Sequence, residues 1–226
     1  MKRGSLKFRP IDVAIGIGLC SFSLLALWAS QRQFWIWDYW VRETFQAHRF
    51  PGLYAWMHFL TRFGEGIWIA PLLLLSMIFL WWQEARRQAL FFLLYTITFA
   101  PLPTLLKLLV SRPRPKFVTK QAATGYGFPS GHAFAALAFY GLLAYLASKR
   151  CSSRPIRWLV ISLCIAIILA VGASRLYLQK HWLSDVIGAY LGAGTYLLLA
   201  IRWLESSQDS GGEEREAIND DVLPGR

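Results

Sequence analysis

The chain has 226 residues, of which 55% are hydrophobic and 16% are charged, and it carries a formal net charge of +11. Soluble domains carry about 25% charged residues, so the apolar excess indicates one membrane domain and excludes a disordered chain, a disulfide-stapled secreted module and a nucleic-acid-binding domain. The three cysteines predict neither a disulfide framework nor a cysteine metal site.

Six apolar runs predict an all-α bundle of six membrane spans. Several runs end in tryptophan, as spans do where indole rings lie at the membrane interface. The first run follows basic residues, as a signal peptide does, but Trp28 interrupts the small-residue cleavage pattern, so we predict a span. The runs are Val13–Ser30, Ile67–Trp82, Ala89–Val110, Ala133–Ala147, Trp158–Ala173 and Leu183–Trp203.

The segment between the first two spans has an amphipathic pattern over residues 34–50. It places Phe34 and Trp37 on one helical face and Asp38 and Arg42 on another. This pattern predicts an interfacial helix that lies on the membrane. An irregular aromatic loop resting on the membrane is the alternative.

The distribution of charge predicts the orientation of the chain. The short connections at 83–88 and 148–157 are rich in arginine and lysine, which predicts a cytoplasmic location for them and for both termini. The outward loops then hold eleven basic residues, so this orientation requires several of them to serve the function. We predict that the membrane domain comprises residues 1–204. Seven of the thirteen acidic residues lie in 205–226, which predicts a disordered cytoplasmic tail there.

The polar residues at the outer span ends fall into three motif blocks. The first block, Lys107-x6-Arg114-Pro115, closes the third span, where Lys107 on its own is more typical of a snorkelling anchor. The second block, Pro129-Ser130-Gly131-His132, begins the fourth span. A helix start offers free backbone N–H groups to a phosphate, and His132 adds a proton donor. A capped span with a structural histidine is the alternative.

The third block is Ser174-Arg175-x5-His181-x3-Asp185, before and at the start of the sixth span. His181 and Asp185 are four residues apart, so the carboxylate can accept the imidazole N–H and leave the other ring nitrogen free to attack an electrophile. A helix-start ion pair is the alternative. Two crossings separate the third block from the others, so all three blocks meet the same side of the membrane.

Together the three blocks resemble the signature of the type 2 phosphatidic acid phosphatase superfamily, with no departure within the blocks. The resemblance implies a phosphohistidine mechanism without a cofactor, in which His181 attacks phosphorus and Asp185 orients it. His132 would protonate the leaving oxygen and later activate water. The phosphoryl oxygens would be held by Lys107, Arg114, Arg175, Ser130 and the Gly131 N–H. Arg112 and Lys116 are expected to be accessory contacts to the head group or the rim.

The outward acidic residues are dispersed in sequence, so we predict catalysis without a metal ion. The leading hypothesis is a lipid phosphatase of the bacterial inner membrane with an extracytoplasmic site, and the resemblance points first to undecaprenyl diphosphate. Phosphatidylglycerophosphate, phosphatidate, and phosphotransfer from the lipid to a sugar are alternatives, and a non-catalytic lipid-phosphate binder is a remote one. The bilayer and the lipid substrate are the expected partners, with no obligate protein partner evident.

Overall fold

Nine α-helices form the framework of the part of the chain that the structure describes. This computed structural model describes residues 9–115 and 125–222, with the side chains of 207–222 left out. No strand occurs within these ranges, which confirms the predicted all-α membrane fold. The helices are α1 (Pro10–Ser30), α2 (Ile36–Ala47), α3 (Pro51–Thr61), α4 (Gly66–Trp82), α5 (Arg86–Phe99), α6 (Leu102–Val110), α7 (Gly131–Arg150), α8 (Arg154–Tyr177) and α9 (Leu183–Val222).

The predicted spans correspond to five helical segments long and apolar enough to cross a membrane, and to one bent pair. Helices α5 and α6, interrupted at Pro101, together form the span Arg86–Val110. The predicted span Ile67–Trp82 corresponds to α4, which has 17 residues and continues from α3 after a bend of 52°. The short 3-10 turn Arg62–Gly64 lies at this bend. A count of six spans therefore includes the bent pair as one.

The buried core lies between α7 and its neighbours α5, α8 and α9. Alanines at 133, 136 and 138 of α7 are fully buried, and such small residues let membrane helices pack closely. Phe92 of α5 stacks on Phe139 of α7 with ring centroids 5.2 Å apart. Large apolar side chains are exposed along the outer faces, as the Leu24 side chain of α1 is, at 68%. Such a surface suits contact with lipid tails.

The helix ends divide between two opposite faces of the bundle. At one face, which we call the basic end, Arg202 of α9 pairs with Asp12 of α1, with Nε and Oδ1 2.9 Å apart. Arg150, at the end of α7, donates to Gln88 of α5 at the same face. The starts of α1 and α5 and the ends of α7 and the membrane part of α9 therefore meet there. The opposite face carries the three motif blocks.

Helix α2 confirms the predicted helical pattern between the first two spans, but Asp38 on its polar face does not meet solvent. Asp38 is 1% exposed, whereas Ile36 and Trp37 are 78% and 59% exposed. The Gln179 amide in the connection between α8 and α9 donates to the Arg42 carbonyl. Asp38 is directed into the protein because buried partners, described below, satisfy its carboxylate.

Helix α9 extends beyond the predicted membrane domain. Helical backbone continues to Val222, well beyond residue 205. The assignment of residues 205–226 as a separate cytoplasmic tail stays a prediction.

Candidate active site

The first motif block turns sharply at the end of α6. Ser111 adopts a left-handed conformation, with φ 50° and ψ 31°, and this ends the helix. After the turn, Arg112 is completely buried, whereas Arg114 is half-buried and directed to the third block. Nη1 of Arg114 lies 3.4 Å from Nε2 of His181 and 3.3 Å from the Lys180 carbonyl oxygen. Although they are two residues apart, Arg112 is thus buried inside the protein and Arg114 faces His181.

The second motif block begins α7, as the sequence predicted. Ser130 is the N-cap residue, and its backbone N–H donates to the Asp185 carbonyl at 3.1 Å, which joins the second block to the third. The Ser130 hydroxyl is buried and has no hydrogen-bond partner among the described residues. A β-carbon built on Gly131 would lie 3.5 Å from Nζ of Lys107. The lysine of the first block therefore lies at the helix start.

The third block pairs His181 with Asp185. Nδ1 of the imidazole lies 3.3 Å from Oδ2 of the carboxylate, which also accepts the Trp182 backbone N–H at 3.1 Å. When Nδ1–H is donated to Asp185, Nε2 carries the lone pair. This nitrogen is the one that faces Arg114. The pair therefore has the arrangement of an oriented nucleophile with a cation in front of it.

The positive charges around His181 affect its protonation. Burial lowers the pKa of His181 well below its usual value, and the guanidinium groups of Arg175 and Arg114 add to the effect. Burial likewise lowers the pKa of Arg114 and of Lys180. The imidazole is therefore neutral at physiological pH, and the concentration of cations favours binding of an anion.

Arg175 and His132 complete the same side of the site and are held by residues that precede α4. Nη1 of Arg175 donates to Oγ1 of Thr61 at 2.8 Å, and the arginine is 5% exposed. Nε2 of His132 lies 3.5 Å from Oε1 of Glu65. The three motif blocks include neither Thr61 nor Glu65. The sequence signal for Glu65 was its position as a single acidic residue between two glycines at the bend, Gly64 and Gly66.

A buried ionic network connects α2 to the third block. Nη1 of Arg112 lies 2.9 Å from Oδ1 of Asp185, and Nη2 lies 3.1 Å from Oδ2 of Asp38. Ser184 donates its backbone N–H to Asp38 at 2.8 Å and accepts from Arg112 at 2.6 Å. The expectation that Arg112 contacts the head group or the rim is therefore wrong, because both of its ion-pair partners are buried. Lys116 lies outside the described residues.

A cavity of about 330 Å³ extends from the motif blocks into the apolar part of the bundle. Lys107 and Gly131 line it where it meets the motif blocks. Its other walls come from α4, from α5 and α6, and from α7, and include Ile69, Leu73 and Phe99. The cavity thus joins an anion-attracting site to an apolar, membrane-level groove. This combination suits a lipid with a phosphorylated head group.

Within the described residues, no group of three histidine, cysteine, aspartate or glutamate side chains is arranged to hold a metal ion. The two buried carboxylates, Asp38 and Asp185, both pair with Arg112. Independence from metal ions remains a prediction for experiment.

Comparison with known proteins agrees with this geometry. The sequence profile of the PAP2 superfamily matches residues 88–209, a range that contains all three motif blocks. The chain belongs to the PAP2 superfamily. It is a multi-pass integral membrane protein and a lipid phosphatase of the phosphoric ester hydrolase type.

Three matches to bacterial proteins illustrate the likeness. The chain is 30% identical over 145 residues to phosphatidylglycerophosphatase B of Bacillus subtilis (strain 168), covering 63% of this chain and 70% of that protein. It also resembles the crystal structure of the first transmembrane PAP2-type phosphatidylglycerolphosphate phosphatase from Bacillus subtilis, with 25% identity and a TM-score of 0.74, covering 85% of this chain and 96% of that one. LpxE of Aquifex aeolicus, at 20% identity and a TM-score of 0.57, covers 76% of this chain and 98% of its own, and shares the fold.

Proposed function

We propose that this PAP2 protein hydrolyses the phosphomonoester of a membrane lipid through a phosphohistidine on His181, with phosphatidylglycerophosphate as its first candidate substrate. The observation that carries the mechanism is the position of Nε2 of His181, which has Asp185 behind the ring and the guanidinium of Arg114 3.4 Å in front. The name of the relative that is 30% identical supports the substrate.

The phosphate would bind where the three motif blocks meet. Lys107, Arg114 and Arg175 neutralise its oxygens, and the backbone N–H of Gly131 lies at the positive end of the α7 dipole. The buried hydroxyl of Ser130 supplies a further donor, which would use an atom that is otherwise without a partner among the described residues. Fixed cations and dipoles of this kind supply most of the catalysis of phosphoryl transfer.

The reaction would then proceed in two displacements. The lone pair on Nε2 of His181 forms the bond to phosphorus as the bond to the lipid oxygen breaks, and His132 donates a proton to that leaving oxygen. Asp185 stabilises the positive charge that develops on the His181 ring. In the second step His132 takes a proton from water as the water oxygen bonds to phosphorus. The bond between phosphorus and Nε2 of His181 breaks, its electron pair returns to the imidazole, and inorganic phosphate is released. Glu65, 3.5 Å from Nε2 of His132, is suited to orient that ring.

Arg112 would keep Asp185 in its carboxylate form by its ion pair at 2.9 Å. In this role it acts behind the nucleophile and does not contact the substrate. The ion pair of Asp38 with the same guanidinium would fix the direction of the guanidinium.

The substrate would enter from the bilayer through the groove that contains Lys107 and Gly131, so the lipid tail stays in an apolar environment while the phosphate reaches the site. We assign the basic end to the cytoplasm of a bacterial inner membrane and the motif blocks to the extracytoplasmic side, because basic loops favour the cytoplasm. Asp12 and Glu205 both lie at the basic end, which supports placing both ends of the membrane domain in the cytoplasm.

Undecaprenyl diphosphate is the second candidate substrate, and it rests on the sequence resemblance. The first test is release of inorganic phosphate by the purified protein from phosphatidylglycerophosphate, undecaprenyl diphosphate and phosphatidate, presented in the same detergent. His181→Ala is the inactive control. Preferential release from phosphatidylglycerophosphate supports the proposal. Preferential release from undecaprenyl diphosphate would make that lipid the substrate and leave the proposed mechanism unchanged.

A phosphotransferase would release little inorganic phosphate from any of these lipids unless its acceptor is present. A pure lipid-phosphate binder would release none, and its binding would survive in His181→Ala. The assay is run in EDTA, where we expect full activity. Loss of activity that Mg²⁺ restores would overturn the prediction of metal-independent catalysis.

A further inference from the structure

A second cavity lies at the basic end, on the opposite side of the bundle from the motif blocks. Its volume is about 560 Å³, and it is formed by the start of α5, the end of α7 and the end of the membrane part of α9. Three arginines line it, namely Arg86, Arg87 and Arg150. The phosphatase mechanism uses none of these residues.

The basic wall of the cavity is partly fixed in position. Nε of Arg150 donates to Oε1 of Gln88 at 2.7 Å, which holds this half-buried guanidinium at the cavity. The Arg86 guanidinium lies over the Trp81 ring at 5.0 Å. Among the described residues that line the cavity, Glu84 is the acidic one. Nearby, Glu205 lies 3.7 Å from Lys149. The lining therefore retains an excess of positive charge.

The rest of the cavity is apolar and continues along α5. Phe91 stacks on Trp203 with centroids 5.4 Å apart and an interplanar angle of 15°, so aromatic rings form one wall. Beyond it, Leu90, Leu94 and Ile97 are spaced four and then three residues apart and so follow one helix face. Their exposed fractions are 55%, 52% and 58%. A positively charged recess thus opens onto an apolar strip parallel to the helix.

We propose that this cavity binds an anionic phospholipid of the leaflet opposite the catalytic site. The arginines would bind the head-group phosphate, since guanidinium groups match phosphate oxygens in pairs. One acyl chain would follow the strip on α5, and Trp203 would lie at the level of the glycerol backbone. A basic recess between helices at the membrane interface is the arrangement that recognises anionic lipid head groups. A free phosphate ion would make no use of the aromatic wall or the apolar strip.

The test compares two variants that each lose two arginines from the basic end. Arg87→Gln/Arg150→Gln removes charge from the cavity. Arg154→Gln/Arg157→Gln removes the same charge from the start of α8, where neither residue is among those that line the cavity. Each protein is reconstituted in nanodiscs of phosphatidylcholine with increasing phosphatidylglycerol, and the phosphatidylglycerol that remains bound after transfer to detergent is counted by native mass spectrometry.

We expect wild type and the α8 variant to retain phosphatidylglycerol equally, and the cavity variant to bind it roughly 30-fold more weakly, as the loss of two arginines near an anionic lipid predicts. A lipid in the catalytic site would be retained equally by both variants, because the motif blocks are intact in each. Normal phosphate release by the cavity variant confirms that it is folded, and it keeps this test separate from the proposed phosphatase function.

Three results would overturn the proposal. The first is equal retention by both variants, and the second is an equal loss in both, which would indicate a general effect of surface charge. The third comes from a competition arm with inorganic phosphate and with glycerol phosphate. If either anion displaces the bound lipid at concentrations near its own dissociation constant for the cavity, the site recognises a free anion.

Discussion

The buried ionic network predicts that Asp38, far from the motif blocks in sequence, is needed for catalysis. In Asp38→Asn the side chain keeps its shape but loses its charge. Its carboxylate accepts from the Trp35 N–H at 3.1 Å, from the Ser184 N–H at 2.8 Å and from Nη2 of Arg112 at 3.1 Å. An asparagine has one oxygen acceptor, so it cannot keep all of these bonds. Arg112 then has Asp185 as its remaining carboxylate partner.

The expected effect has two parts. Removing one partner of a buried ion pair costs about 3 kcal/mol or more, which corresponds to a decrease in Tm of roughly 10 °C for a protein of this size. Arg112 also moves closer to Asp185 and weakens the hold of that carboxylate on His181. A misplacement of up to about 1 Å at the nucleophile lowers kcat by roughly 10- to 100-fold. KM changes little, because Asp38 does not touch the phosphate.

The control is Asp12→Asn, which breaks an Asp–Arg pair at the basic end with a similar separation, 2.9 Å, between Asp12 and Arg202. Both side chains there are about a quarter exposed, so the expected loss is below about 1 kcal/mol. Phosphate release gives kcat and KM, and tryptophan fluorescence during heating gives Tm. Normal kcat in Asp38→Asn, with a Tm decrease no larger than in the control, would refute the positioning role of the network.

Three further predictions follow from the site. His132→Ala should slow release from a lipid phosphate by about 100-fold or more, and release from an activated aryl phosphate much less, because the aryl leaving group needs no acid; equal losses would contradict the acid role. Gly127→Ala should lower kcat about tenfold, because its β-carbon would lie 2.9 Å from Oδ2 of Asp185, whereas Gly16→Ala, with nothing within 4 Å, should be unaffected. Burial and nearby cations lower the pKa of His181, so the acid limb of the pH profile of kcat/KM should lie below about pH 6.5. The limb should move to higher pH in Arg114→Met, because one of those cations is removed. A wild-type limb at or above about pH 6.5 would contradict this.

The spans and the motif blocks could be predicted from the sequence because their signals are local. A membrane span requires a continuous apolar run, whatever its neighbours are. The spacing of His181 and Asp185 places them on one helix face, and the structure finds them 3.3 Å apart. Counting the crossings placed the second and third blocks on one side, and the bond from the Ser130 N–H to the Asp185 carbonyl confirms it.

The environment of the site was decided by contacts between residues far apart in the chain. Asp38 and Arg112 are 74 residues apart, and Thr61 and Arg175 are 114 apart. An amphipathic pattern in α2 indicated that the segment is a helix, but hydropathy does not distinguish a polar face that meets water from one that meets a buried arginine. The burial of Arg112, the direction of α2 and the pairing of Glu65 with His132 therefore became visible only in the tertiary structure, because a charged side chain reveals its partner only when the packing brings the two together.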